Sequence, residues 1–174
     1  MSSKVLIVVD MQNDFIDGSL GTPEAVAIVP KVKERIEKAL ESGERVLFTM
    51  DTHGEDYMST QEGRKLPVRH CIKGSWGHEL SDSIKPFAKD KDDILEKHTF
   101  GSSALPLAVQ RCDEMTLIGL CTDICVITNA LLLKTYFPEK EIIVDASLCA
   151  GVTPASHRNA LEAMKMCQID VINE

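Results

Sequence analysis

The chain has 174 residues, enough for one well-buried core and short for two domains. Its make-up, 44% hydrophobic and 26% charged, is that of an ordinary globular protein rather than a disordered or membrane-embedded one. A formal net charge of −8 with no Lys/Arg cluster argues against a phosphate-backbone partner, so no nucleic acid is expected.

The N-terminal "VLIVV" at Val5–Val9 reads as a strand buried on both faces. It is too short for a signal-peptide core or a membrane span, which points to a cytoplasmic protein with no membrane partner. In that compartment the six scattered cysteines are expected to be free thiols. Ala25–Leu40 has the pattern of an amphipathic helix, and Gly43 follows as a stop signal. Arg45–Met50 is a second strand. Asp51–Gly77, rich in glycine, proline and charge, reads as a long loop, and loops of that length in compact domains are usually functional. Short strands follow at Asp93–Lys97 and Glu114–Leu120, then an apolar-rich helix at Ile124–Tyr136 with Pro138 just beyond it. Glu141–Ala146 is a fifth strand. Thr153 and Pro154 look like the N-cap and first residue of a helix reaching about Met166. Ile169–Asn173 is a short last strand. No internal repeat, low-complexity segment or linker interrupts the series, so residues 1–174 form a single domain.

Strands alternating with helices predict an α/β protein: a three-layer α/β/α Rossmann-like fold with a central parallel sheet of about six strands. Sites in such folds lie at the carboxyl ends of the strands. Asp10, Asp51, Lys97, Cys121 and Asp145 each fall at or just past a predicted strand end.

Cys125 stands in the first turn of the predicted Ile124–Tyr136 helix, with Thr122 or Asp123 as caps. There the helix dipole lowers a thiol pKa and favours the thiolate. Asp10 and Lys97 are available to take the thiol proton and to hold negative charge. A lone buried cysteine at such a place is more often a small core residue; the matching strand ends favour chemistry. Cys121 reads as a packing side chain whose backbone N–H, with that of Cys125, is suited to an oxyanion hole. A disulfide across one helical turn is badly placed, and zinc would favour a Cys-x-x-Cys pair.

In the long loop, Asp51-x-His53 followed by His70 offers carboxylate and imidazole ligands for zinc, manganese or iron. Glu62 could add a carboxylate, with Glu55, Asp56 and Tyr57 as alternatives. His78, His98 and His157 read as surface or helix residues. Gln12 in "DMQNDF" stands where an Asp-x-Asp phosphotransferase would need its second aspartate, and no Gly-x-Gly-x-x-Gly follows the first strand.

The segments "VLIVVDMQNDFIDGSL", "DTH", "LPVRHCIKGSWGHEL", "EKHTFGSSA" and "GLCTDICVITNA" together resemble the isochorismatase-like cysteine hydrolases, most closely their nicotinamidase-type members, over nearly the whole chain. The resemblance implies an Asp–Lys–Cys triad at Asp10, Lys97 and Cys125, and a cis peptide at Leu120–Cys121. It implies a divalent metal, zinc first, on Asp51, His53 and His70. A further ligand that is histidine in some members falls here on Tyr57, which makes Glu62 the choice. It also implies a small-molecule amide substrate, most directly nicotinamide, hydrolysed through a Cys thioester, and assembly as a homo-oligomer. Phe15, near the first strand end, could pack on a flat ring or serve as a plain loop or core residue, and Trp76 and Phe100 read in the same two ways. The rival readings are a ureido or carbamoyl amidohydrolase of the same family and a non-enzymatic thiol or metal-binding module.

Overall fold

The computed structural model describes residues 3–174. Six strands form one fully parallel sheet: β1 (Lys4–Val9), β2 (Arg45–Asp51), β3 (Ile94–Lys97), β4 (Glu114–Leu120), β5 (Glu141–Ala150) and β6 (Asp170–Ile172), in the order β3-β2-β1-β4-β5-β6. The expected three-layer Rossmann-like architecture is therefore present. The order reverses between β1 and β4, and such a switch point opens a crevice at the strands' carboxyl ends.

Alternation along β1 explains the layers. Leu6 and Val8 face α2 (Pro23–Glu41) through Ile28, Val32 and Ile36. Val5, Ile7 and Val9 face the opposite layer. That layer holds α4 (Leu105–Val109), α5 (Ile127–Tyr136) and α6 (Pro154–Met166). Residues Val5–Val9 are fully buried, and each such side chain contributes roughly 1.5–3 kcal/mol. The caps are local: Thr22 accepts the Ala25 N–H, and Thr153 with Ser156 forms a capping box ahead of Pro154. No helix among the described residues is long and apolar enough to cross a membrane.

Several expectations need correction. The long loop is not structureless: it carries a 3₁₀ turn at Tyr57–Ser59, helix α3 (Gln61–Lys65) and a second 3₁₀ turn at Trp76–His78. Thr60 caps α3 by accepting the Gly63 N–H. A single-turn helix, α1 (Asn13–Ile16), and α4 had no visible periodicity because each is too short to show one. β5 runs to Ala150 rather than Ala146, because its pairing with β4 shifts register between Leu117 and Gly119. Asp145 is consequently inside a strand. Its carboxylate accepts from Ser147 and from the Asn173 amide, away from the switch point. Gly119, at φ +116°, is required where β4 closes on β1: a Cβ there would lie 2.2 Å from the Val9 carbonyl oxygen.

Candidate active site

Four strand ends converge at the crevice. Asp10 leaves β1 in a left-handed conformation (φ 48°), its N–H bonded to the Thr49 carbonyl. Thr49 Oγ1 donates to Asp10 Oδ1 at 2.6 Å, so one carboxylate oxygen is fixed. The other, Oδ2, has the Lys97 ammonium at 2.7 Å and no well-angled hydrogen bond among the described residues. Lys97 Nζ also reaches Asp51 Oδ1 (3.3 Å), the Thr99 carbonyl (3.1 Å) and Cys125 Sγ (3.5 Å). Asp10, Asp51, Lys97 and Cys125 are all buried. The structure thus brings together the three residues singled out for the triad.

The expected cis peptide at Leu120–Cys121 is present, but the turn that follows it and carries Cys125 departs from expectation. A π-helical turn, Thr122–Val126, precedes α5, which starts only at Ile127. Neither Thr122 nor Asp123 caps a helix. Thr122 Oγ1 lies 2.7 Å from His157 Nδ1, and the Asp123 carboxylate accepts the Val152 N–H. The Cys121 carbonyl accepts the N–H groups of Ile124 and Val126, either side of Cys125. The thiol is not lowered by a helix terminus. Burial, followed by the charge of Asp10, pushes Cys125 well above the usual thiol range, and Lys97 opposes the shift. Burial pushes the Cys121 thiol up to about 12, which suits its reading as a packing side chain. All six cysteines are free.

Burial works against the Lys97 charge, yet Asp10, the Cys125 sulfur and Asp51 outweigh it and raise its pKa above the ordinary lysine value. A lysine with a raised folded pKa gives stability that is complete below its unfolded value, about 10.4, and lost only as pH rises through the raised value. Lys97→Met strands two buried carboxylates. Urea unfolding at pH 7 is expected to show a loss of roughly 3–5 kcal/mol, narrowing as pH falls and Asp10, whose pKa burial raises, takes up a proton. An unchanged urea midpoint would rule out this ion pair as a structural element.

Asp51, His53 and His70 form the second cluster, with their donor atoms all within 4.8 Å of one another. His53 Nε2 is 2.9 Å and His70 Nε2 3.5 Å from Asp51 Oδ2; Glu62 Oε1 is 3.6 Å from His53 Nε2 and 3.8 Å from His70 Nε2. Those separations bracket the donor–donor edge of a zinc tetrahedron, about 3.4 Å. His70 Nδ1 is 2.8 Å from the Val68 carbonyl, which leaves Nε2 facing the cluster. One ammonium, Lys97, serves both Asp10 and Asp51, so the cluster with Glu62 carries surplus negative charge. The donor set fits a divalent ion. Burial opposes ionisation of Asp51, but its hydrogen bonds to His53 and His70 and the Lys97 charge hold it well below the carboxylate range.

Among the alternatives to Glu62, Glu55 is exposed and paired with Arg69. Asp56 is exposed as well. Tyr57 is fully buried but donates its hydroxyl to the Leu66 carbonyl, with its ring centroid 4.7 Å from that of His53 and 4.9 Å from that of His70. It walls the imidazoles in. His78, expected at the surface or in a helix, is buried at the end of the Trp76–His78 turn with Nε2 2.9 Å from Thr52 Oγ1. His98 is exposed and His157 half-buried. Gln12, noted only as a missing aspartate, is a structural clamp: its amide donates to the Asp51 and His78 carbonyls and accepts the Asp51 N–H. A polar side chain in the first turn after a buried strand was the available signal.

A cleft of about 180 Å³ joins the two clusters. Cys125 and Cys121 line one part, Asp51, Glu62 and His70 another, and Phe15, Leu66 and Phe100 are among its apolar walls. Phe15 is buried with its ring 5.6 Å from that of His70. Trp76 does not line this cleft.

An open parallel sheet that gathers a cysteine, a lysine and two carboxylates at its switch point, beside a carboxylate–imidazole cluster, defines a Rossmann-like α/β protein with a small-molecule cleft. The chain belongs to the isochorismatase family: the Isochorismatase domain matches residues 4–173. It is 25% identical to the nicotinamidase of Saccharomyces cerevisiae, over 98% of this chain and all of that protein. Among solved structures, it resembles the pyrazinamidase of Pyrococcus horikoshii in complex with zinc (28% identity, 99% of each chain, TM-score 0.83). It also resembles the N-carbamoylsarcosine amidase of Thermoplasma acidophilum (32% identity, 97% of this chain and 95% of that one, TM-score 0.80).

Proposed function

We propose that the protein is a cysteine-dependent amidohydrolase that converts nicotinamide, or a close heteroaromatic amide, to the acid and ammonia. The observation that carries this reading is the Lys97 ammonium within reach of Asp10, Asp51 and the Cys125 sulfur at once. The nicotinamidase and pyrazinamidase relatives support it. Asp10 takes the Cys125 proton, and Lys97 holds the resulting negative charge. The sulfur attacks the amide carbon, and the oxyanion accepts hydrogen bonds from the N–H groups of Cys121 and Cys125. The C–N bond breaks as Asp10 returns its proton to nitrogen, and ammonia leaves. Water then attacks the thioester, giving its proton to Asp10, and the acid departs as the thiol re-forms. Asp51, His53, Glu62 and His70 would hold a divalent ion, zinc first, which when bound supplies Lewis acidity beside the ring end of the cleft. Phe15 would pack against the ring.

The 32% identity to a carbamoyl amidase favours one second reading, a ureido or carbamoyl substrate. Ammonia release from nicotinamide and from N-carbamoylsarcosine by the zinc-loaded protein separates the two. Faster release from nicotinamide is expected; release from the carbamoyl compound alone would transfer the proposal to the second reading.

A further inference from the structure

Asn129 is fully buried on α5, one turn beyond Cys125. Its Nδ2 donates to the Cys125 carbonyl (2.8 Å) and reaches the Phe100 carbonyl at 3.4 Å. Its Oδ1 accepts the Ser102 N–H (2.9 Å). A single amide therefore ties the backbone of Cys125 to the segment that follows β3. That segment also holds Lys97, whose ammonium donates to the Thr99 carbonyl. Gly101, at its centre, lies so close to α5 that an added Cβ would stand 2.9 Å from Thr128 Cγ2. The loop and helix are pressed together, and the Asn129 side chain is the polar link between them.

We infer that Asn129 is a positioning residue that keeps the Lys97 ammonium in register with the Cys125 sulfur. The inference rests on the proposed role of those two residues. No charge on Asn129 is involved: an amide supplies donor and acceptor together, which a carboxylate, an aliphatic chain or an amine does not. A hydroxyl can replace part of it. On the same helix Thr128 and Thr135 donate to the carbonyls four residues back, at 2.6 and 2.8 Å. A threonine at 129 can do the same to the Cys125 carbonyl.

The test compares wild type with Asn129→Ala, Asn129→Asp and Asn129→Thr by two readouts: kcat and KM for nicotinamide, and the rate of iodoacetamide alkylation at Cys125, followed by peptide mass. Asn129→Ala and Asn129→Asp are expected to lower kcat roughly 10- to 100-fold with little change in KM, and to slow alkylation of folded protein in parallel. Asn129→Thr is expected to recover part of both. If Asn129→Ala does not fold, Asn129→Asp carries the comparison, since it keeps the shape and the acceptor for Ser102. Wild-type rates in the Ala or Asp variant, or no recovery in the Thr variant, would overturn the inference. A wild-type protein inert to nicotinamide would count against the substrate alone, because the alkylation ratios still decide the role of Asn129.

Discussion

Cys125→Ala is expected to lower kcat for amide hydrolysis by roughly 10⁴-fold or more while leaving the urea midpoint close to wild type. The size follows from the proposed route: with no sulfur there is no thioester, and only cleft binding and the backbone N–H groups remain to assist water. The small structural cost follows from the surroundings. The Lys97 ammonium keeps Asp10, Asp51 and the Thr99 carbonyl when the sulfur is gone. Removing a partly satisfied neighbour is milder than removing the cation itself, so Lys97→Met and Cys125→Ala should separate: the first unfolds easily, the second folds and does not turn over. Quantitative ammonia release beside circular dichroism checks both halves. Activity surviving in Cys125→Ala would remove the cysteine from the reaction and leave the cleft to metal chemistry alone.

Glu62→Ala is expected to weaken zinc binding by at least the 10- to 100-fold that loss of a supporting contact causes, and Glu55→Ala to leave it unchanged. The two glutamates are seven positions apart in the same loop. Glu62 is carried by α3 into reach of both imidazoles, and Glu55 is drawn outward by Arg69. Competition against a chromophoric chelator reads the affinity without any substrate. Unfolding gives a second reading, since zinc at a hundred times its Kd should stabilise the wild type by about 2.7 kcal/mol and Glu62→Ala by less at the same concentration. Equal affinities in the two variants would move the fourth ligand off Glu62.

The sheet was legible because its central strands β1, β2 and β4 are buried on both faces and their ends carry polar residues. Val5–Val9 followed by Asp10 states the rule within six residues. The donor cluster was legible as residue types, Asp51-x-His53 and His70, but the approach of Glu62 to it was not. The choice of Glu62 came from family resemblance, and what brings Glu62 inward is a five-residue helix capped by Thr60, too brief for periodicity to reveal. The extension of β5 was hidden because Asp145 and Ser147 break its apolar run. The thiol was misjudged for a different reason. Position in a helix's first turn says nothing about how dry that turn is, and complete burial beside a carboxylate reverses the expected shift. Asn129 left one trace: an amide beside Ala130 and Leu133 on the buried face of α5.

Asp51 divides its two carboxylate oxygens between neighbours, Oδ1 to Lys97 and Oδ2 to the imidazoles. The two clusters are therefore not modules that descent or engineering could exchange freely. A descendant that shed its imidazoles would still need the aspartate as counter-ion to the lysine. One that neutralised the aspartate would disturb both neighbourhoods in a single step. A variant designed to lose the imidazole cluster yet keep Lys97 neutralised would replace His53 and His70 and retain Asp51.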